Sequence, residues 1–273
     1  MIIASIDPAE FRTQAIEIEP FAGGINITPV GIPVNFETMQ MRRKACQPSI
    51  PGKYANLGVS AQIHLTLFEK EYLILVRQQK AGHSLLKLPS GYVPLEQLSN
   101  PYLTLAQELV EECLLLKGKK FCRVELNTQR LVKPYSELEY HSDDLFQLYS
   151  ERSNPLKLPQ AQIYINRQPL IGNPFLYIQK QTCSAQLVYP LRMTLPDCEE
   201  LSLLHAEEQY EPISNELNVI LNSELWLARV NGDGIFSLNK LIRDRVQAMK
   251  IPADTRLSEV FAPKKKHLFN PFT

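Results

Sequence analysis

The chain has no surplus of charge. Lysine plus arginine and aspartate plus glutamate number 29 each in 273 residues, for a net charge of zero. No global field therefore draws it to nucleic acid or to an anionic membrane, and an anionic ligand would have to be held locally. A run of roughly 18 uncharged apolar residues is also missing, so no membrane-spanning helix is expected. The five cysteines (Cys46, Cys113, Cys122, Cys183, Cys198) are odd in number and form no CxxC pair. This argues against a disulfide framework or a zinc knuckle and fits reduced thiols in a cytosol-like compartment. The opening MIIASIDPAEFRTQ carries acids where a basic n-region would stand, so it does not read as a signal peptide, and a cytoplasmic location is expected. Internal repeats and low-complexity tracts are absent from the sequence.

What is present is an ordinary globular composition, 44% hydrophobic and 21% charged, able to bury a sizeable core. The length admits one domain with extensions or two small domains. Residues 1–58, with PFAGGINITPVGIPVNF and QPSIPGKY, read as an extension of short extended pieces and turns, with one short helix near Pro8 to Ala15. Then AQIHLTLFE and YLILVRQQ, joined by a tight KE connection, predict a hairpin, and SLLKLPSGYV predicts a short strand ending at Ser90-Gly91. Asn100-Pro101 opens a helix, with proline where a missing N–H is tolerated. FCRVEL, AQIYINRQ, FLYIQKQ and AQLVYPLRM predict further strands, and SELWLARV and GIFSL flank a hairpin-type turn at NGDG. DCEELSLLHAEEQY and LNKLIRDRVQAMK predict helices, and the tail APKKKHLFNPFT a frayed end. The stretch 135–175 carries no clear pattern.

The helix after Asn100 holds the unusual feature. With about 100° per residue, Glu112 lies roughly 40° to one side of Glu108 and Glu111 about 60° to the other, so three carboxylates share one face. Leu105, Ala106, Leu109, Val110, Cys113 and Leu114 spread over the rest. No lysine or arginine lies between Pro101 and Leu116. Glu108 and Glu112 are thus a like-charge pair one turn apart, at a cost of about 0.2 to 0.5 kcal/mol. A solvated face is the ordinary meaning of such a stripe. Clustered oxygen donors without basic partners also suit a hard divalent cation.

LPSGYVPLEQ followed by a helix carrying QELVEE resembles the Nudix box, G-x5-E-x7-R-E-U-x-E-E-x-G-U, in which U is a bulky aliphatic residue. Gly91 matches the opening glycine, Glu96 or Gln97 stands near the first glutamate, and Glu108, Leu109, Glu111 and Glu112 match E-U-x-E-E. The hairpin before the turn and IFSLNKL at 235–241 are similar to the flanks of that fold. Three departures stand out: Gln107 replaces the arginine, Leu114 replaces the second glycine, and the loop between Gly91 and Gln107 is about two residues longer.

The resemblance implies an α/β (α+β) fold, a Nudix-like mixed β-sheet sandwiched between helices, spanning 59–250, with the extension 1–58 packed on it and a tail at 251–273. It implies a hydrolase that cleaves the diphosphate of a nucleoside diphosphate linked to another moiety. Glu108, Glu111 and Glu112 would be catalytic and hold Mg²⁺ or Mn²⁺. Arg77, Lys87 and Gly91 would bind the substrate, with Lys80 as a further cation. His205 with Glu207, Glu208 and Glu211 could supply a general base, although a surface helix is the simpler reading. The departures leave a second reading open, a catalytically impaired Nudix-fold protein acting as a nucleotide sensor or protein-interaction module. The expected partner is a nucleotide-type small molecule, with no nucleic acid or membrane, and a homodimer stays open. NGDG reads as a β-turn before a calcium loop, Tyr164, Phe175 and Tyr177 as core or strand aromatics before base-stacking groups, and Lys264 to Lys266 as a basic tail.

Overall fold

The structure is a computed structural model. It describes residues 11–21, 24–45, 52–80, 82–133, 135, 138–151, 162–179, 182–197, 199–211, 216–222, 225–231, 234–250 and 254–258. The basic tail, residues 8–10, and residues 136–137 and 152–161 of the 135–175 stretch lie outside these residues, while Arg12 to Ala15, expected in a short helix, belong to a strand.

Strands dominate. They are β1 Arg12–Phe21, β2 Gly24–Asn35, β3 Lys53–Tyr54, β4 Asn56–Leu67, β5 Lys70–Lys80, β6 His83–Lys87, β7 Ser90–Tyr92, β8 Leu114–Lys117, β9 Lys120–Leu126 and β10 Gln129–Arg130. They continue with β11 Tyr140–Ser150, β12 Gln162–Ile165, β13 Gln168–Pro169, β14 Phe175–Gln179, β15 Ser184–Thr194, β16 Leu201–Glu211, β17 Glu216–Asn222, β18 Leu225–Asn231, β19 Gly234–Ile242, β20 Arg245–Met249 and β21 Thr255–Leu257. The α-helices among the described residues are α1, Phe36–Ala45, and α2, Pro101–Glu112. Neither is long and apolar enough to cross a membrane, which says nothing of a β-barrel.

The expected helix-sandwiched α/β sheet is therefore overturned. The main sheet runs β17-β16-β8-β9-β11-β15-β4-β5-β18-β19-β20 and curls on itself as a half-barrel. Both segments expected to cover it as helices are part of it. Residues 201–211 pair with β8 and β17, because Leu201 and Leu203 enter one core cluster while Leu204 and Ala206 pack in another, a period of two buried on both faces. Residues 239–249 fold as a hairpin, Arg243 and Asp244 turning with φ of 45° and 60° between β19 and β20. The Asp244 carboxylate accepts the Glu200 and Leu201 N–H groups, which fixes that turn on β16.

The 1–58 region contributes long strands where short pieces were expected. β1 and β2 form a hairpin, β12 adds to β2 in parallel, and the five-stranded sheet runs β13-β12-β2-β1-β3. Alternate residues Ile16, Ile18, Ile25, Ile27, Ile163 and Ile165 point from this sheet into the principal core, where they meet Leu57, Val59, Ile63 and the α2 face Leu105, Ala106, Leu109 and Val110. A second core, with Leu73, Leu75, Phe175, Tyr177, Val188 and Trp226, lies on the other face of the main sheet. Phe175 and Tyr177 are thus core residues. Cys113 and Cys122 are free and buried, but Cys183 is disulfide-bonded, which departs from the expectation of reduced thiols throughout.

Candidate functional site

The site is built on β7, a three-residue strand that pairs with β4. Its register places Ser90 opposite Ser60, Gly91 opposite Val59 and Tyr92 opposite Gly58. The Pro89 carbonyl accepts the Ala61 N–H at 2.9 Å and the Val93 N–H donates to Leu57 at 3.0 Å, so the turn is clamped to β4 at both ends. The chain then passes a 3-10 turn, Leu95–Gln97, where the Thr104 hydroxyl donates to Gln97 Oε1 at 2.6 Å and ties the turn to α2. Asn100 stands at the N-cap position of α2, without a side-chain capping bond, and Pro101 lies in the first turn, so the helix starts where the sequence predicts. With Leu105, Ala106, Leu109 and Val110 buried, the opposite edge of α2 presents Gln107, Glu108, Glu111 and Glu112 to the turn.

Each glutamate is held differently. A Cβ at position 91 would stand 1.6 Å from Glu108 Oε1 and 2.1 Å from its carboxyl carbon, so the Glu108 carboxylate occupies the space that only glycine leaves. Gln107 Nε2 donates to Glu111 Oε1 at 2.9 Å. A neutral amide thus orients a carboxylate where the box pattern has an arginine. Glu112, 17% exposed, accepts the Ser90 N–H at 3.0 Å and faces Lys87 Nζ at 3.6 Å and His205 Nε2 at 3.9 Å. Burial alone would push its carboxyl upward, but Lys87, His205 and the Ser90 N–H outweigh it and hold the group below the usual glutamate range.

These groups open on a cleft of about 610 Å³ whose lining falls on both sides of β7. One side carries the three glutamates and Lys87. The other carries Asn56, Gly58 and Ser60 of β4 with Ser184 and Gln186 of β15, while Phe11, Phe36, Tyr92 and Arg43 close an end. Arg43 hydrogen-bonds the Tyr92 hydroxyl and lies 5.0 Å over its ring; Phe36 meets Tyr92 edge-on at 5.8 Å, and Phe11 meets Phe36 at 5.9 Å. The Arg43 Nε is buried and has no hydrogen-bond partner among the described residues.

Of the residues singled out from the sequence, Glu108, Glu111, Glu112, Lys87 and Gly91 come together here. Arg77 does not. It pairs with Leu86 in the β5–β6 register and its guanidinium stands 5.6 Å over Trp226, away from the cleft. The side chains of Lys80, Glu207, Glu208 and Glu211 lie outside the described set. Arg43, Tyr92 and the polar residues of β4 and β15 were missed, and the only sequence signal for the first was a basic MRRK run in the extension.

Among the described residues no group of three or more His, Cys, Asp or Glu is placed to hold a metal ion. All three carboxylates are already engaged or crowded within the protein: Glu112 by Lys87 and Ser90, Glu111 by Gln107, and Glu108 packed against Gly91. Mg²⁺ is commonly held by one or two carboxylates together with substrate phosphates, and the carboxylates at the cleft are those of Glu108, Glu111 and Glu112. Compared with family models, with curated proteins and with solved structures, the chain matches none.

Proposed function

We propose that this cleft takes a nucleoside-diphosphate-type ligand together with Mg²⁺ or Mn²⁺ and hydrolyses its diphosphate. The observation that carries the reading is the contact between the turn and the helix. Gly91 is pressed against Glu108, and Ser90 is bonded to Glu112, so the residues that resemble a Nudix box meet at the lip of a ligand-sized cleft. Glu108 and Glu111 would hold the cation jointly with the ligand's phosphates. When bound, a divalent cation neutralises phosphoryl oxygens and lowers the pKa of a coordinated water. Gln107 orients Glu111, and Glu112 fixes the turn by tying the Ser90 backbone and Lys87 to α2. Lys87 and Arg43 supply positive charge at two points of the lining, and an anion entering beside Arg43 would meet its unpartnered Nε–H.

A second reading, binding without turnover, is favoured by one observation: Glu112, expected to be a metal ligand, is neutralised by protein groups. Both readings are tested by incubating the protein with Mg²⁺ or Mn²⁺ and a panel of ADP-ribose, dinucleoside polyphosphates, nucleotide sugars and nucleoside triphosphates, beside Glu108→Gln and Glu111→Gln. Hydrolysis that both variants abolish supports the enzyme. Metal-dependent binding without products supports the sensor, and a protein that binds neither nucleotide nor cation refutes both.

A further inference from the structure

Opposite the glutamates, the cleft floor is uncharged. Along β4, Leu57, Val59 and Ala61 point into the principal core, so Asn56, Gly58 and Ser60 turn to the other face and into the cleft. Parallel pairing with β15 sets Ser184 beside Asn56 and Gln186 beside Gly58, and β14 then puts Gln179 beside Ser184. The neighbours satisfy one another: Thr182 and Ser184 share a hydrogen bond at 2.8 Å, Ser184 donates to Gln179 at 3.4 Å, and Gln186 donates to the Val59 carbonyl at 3.2 Å. Asn56 is the exception. It is 1% exposed, it lines the cleft, and its Oδ1 accepts no hydrogen bond from any described residue. A buried amide oxygen without a donor costs free energy unless a donor arrives.

We propose that this floor is the recognition site for an uncharged planar ring bearing an N–H donor, the base of the ligand, with Asn56 Oδ1 as the acceptor that reads it. This rests on the reading of the cleft as a nucleotide site, and it assigns the specificity of that site to residues of β4 and β15 and not to the glutamates of α2. Amides and hydroxyls without an ionisable group suit a base edge and offer an anion no counter-charge. Gly58 keeps the row between Asn56 and Ser60 free of a side chain, and Tyr92 of β7 stands opposite it in the ladder.

The test measures calorimetric affinity for each natural nucleoside and for its counterpart methylated at the base N–H, in the wild-type protein and in Asn56→Ala. In the wild type, at least one parent nucleoside should bind, and its methylated form should bind about tenfold or more weakly. Asn56→Ala should erase that difference. Magnesium pyrophosphate, which has no base, should bind the wild type and Asn56→Ala alike. If no nucleoside binds, or if methylation changes nothing in the wild type, the proposal is overturned however the variants fold. If the discrimination survives in a folded Asn56→Ala, the assignment to Asn56 is overturned. Discrimination by the wild type without any affinity for magnesium pyrophosphate supports the base site and overturns the diphosphate reading instead.

Discussion

Replacing Gly91 with alanine separates the site from the fold. The backbone at Gly91 is not in the left-handed region, so alanine introduces no torsional strain and slightly restricts the unfolded chain, a gain of about 0.4 to 1 kcal/mol. The new Cβ, however, would fall 1.6 Å from Glu108 Oε1 and 2.8 Å from Oε2. Carbon and oxygen need about 3.5 Å, so the carboxylate must retreat by roughly 2 Å. Its side chain is flexible and can do so at little cost. Stability by urea unfolding should change by less than about 1 kcal/mol, whereas a misplacement of about 1 Å in a reacting constellation can cost on the order of 100-fold. We therefore expect Gly91→Ala to lower kcat/KM for the best substrate about 100-fold, or Mg²⁺-dependent affinity if the cleft binds without turnover. Because the alanine acts through Glu108, the double variant Gly91→Ala/Glu108→Gln should be no worse than Glu108→Gln alone. Wild-type function in Gly91→Ala, or additive losses in the double variant, would refute the role given to this contact.

Glu112→Ala should behave differently from its neighbours, since it removes a nearly buried anion from Lys87 and the Ser90 N–H; a loss of about 1.5 to 3 kcal/mol in urea unfolding is expected, against less than about 1 for Glu111→Gln. Because the folded-state pKa of Glu112 is depressed, its contribution is complete above the unfolded glutamate value near 4.5 and is lost as pH falls below it. Unfolding free energy measured between pH 7 and pH 3 should drop more steeply in the wild type than in Glu112→Gln. Arg43→Ala should weaken phosphate-bearing ligands about tenfold, while Arg77→Ala, which removes the guanidinium over Trp226, should leave their affinity unchanged; equal effects of the two in ligand titrations would contradict the placement of the cleft.

What could be read from the sequence was mostly local. The Asn100-Pro101 start of α2, its acidic edge and its proximity to the Gly91 turn all lie within about 25 consecutive residues, where periodicity and capping dominate. The hairpin of β4 and β5 was foreseen, but its apex is Phe68-Glu69, two residues before the expected KE, and both apex residues have positive φ. The same left-handed pairs turn the chain at Asn127-Thr128, Asn166-Arg167 and Arg243-Asp244. Two of these four start with asparagine and none contains glycine, so the usual signature of such hairpins is faint. Residues 201–211 satisfy a helical and a strand pattern at once, and pairing with β8 decides between them. Arg43, Asn56, Ser184 and Gln186 were hidden for another reason: they meet only through contacts between distant parts of the chain.

That last point bears on how the protein acquires its cleft. The floor depends on β4 lying parallel to β15, with Asn56 beside Ser184, while Arg167 N–H reaches Asn26 Oδ1 across 141 residues to anchor the smaller sheet. Such joints close only after a long stretch of chain has been synthesised, and non-local parallel pairing makes for slow folding. The glutamate turn can assemble early, from neighbours in sequence; the surface that reads the base cannot. Recovery of base affinity during refolding should therefore lag behind the appearance of α2, and a ligand that spans both sides of β7 will bind the finished molecule while passing over its nascent forms.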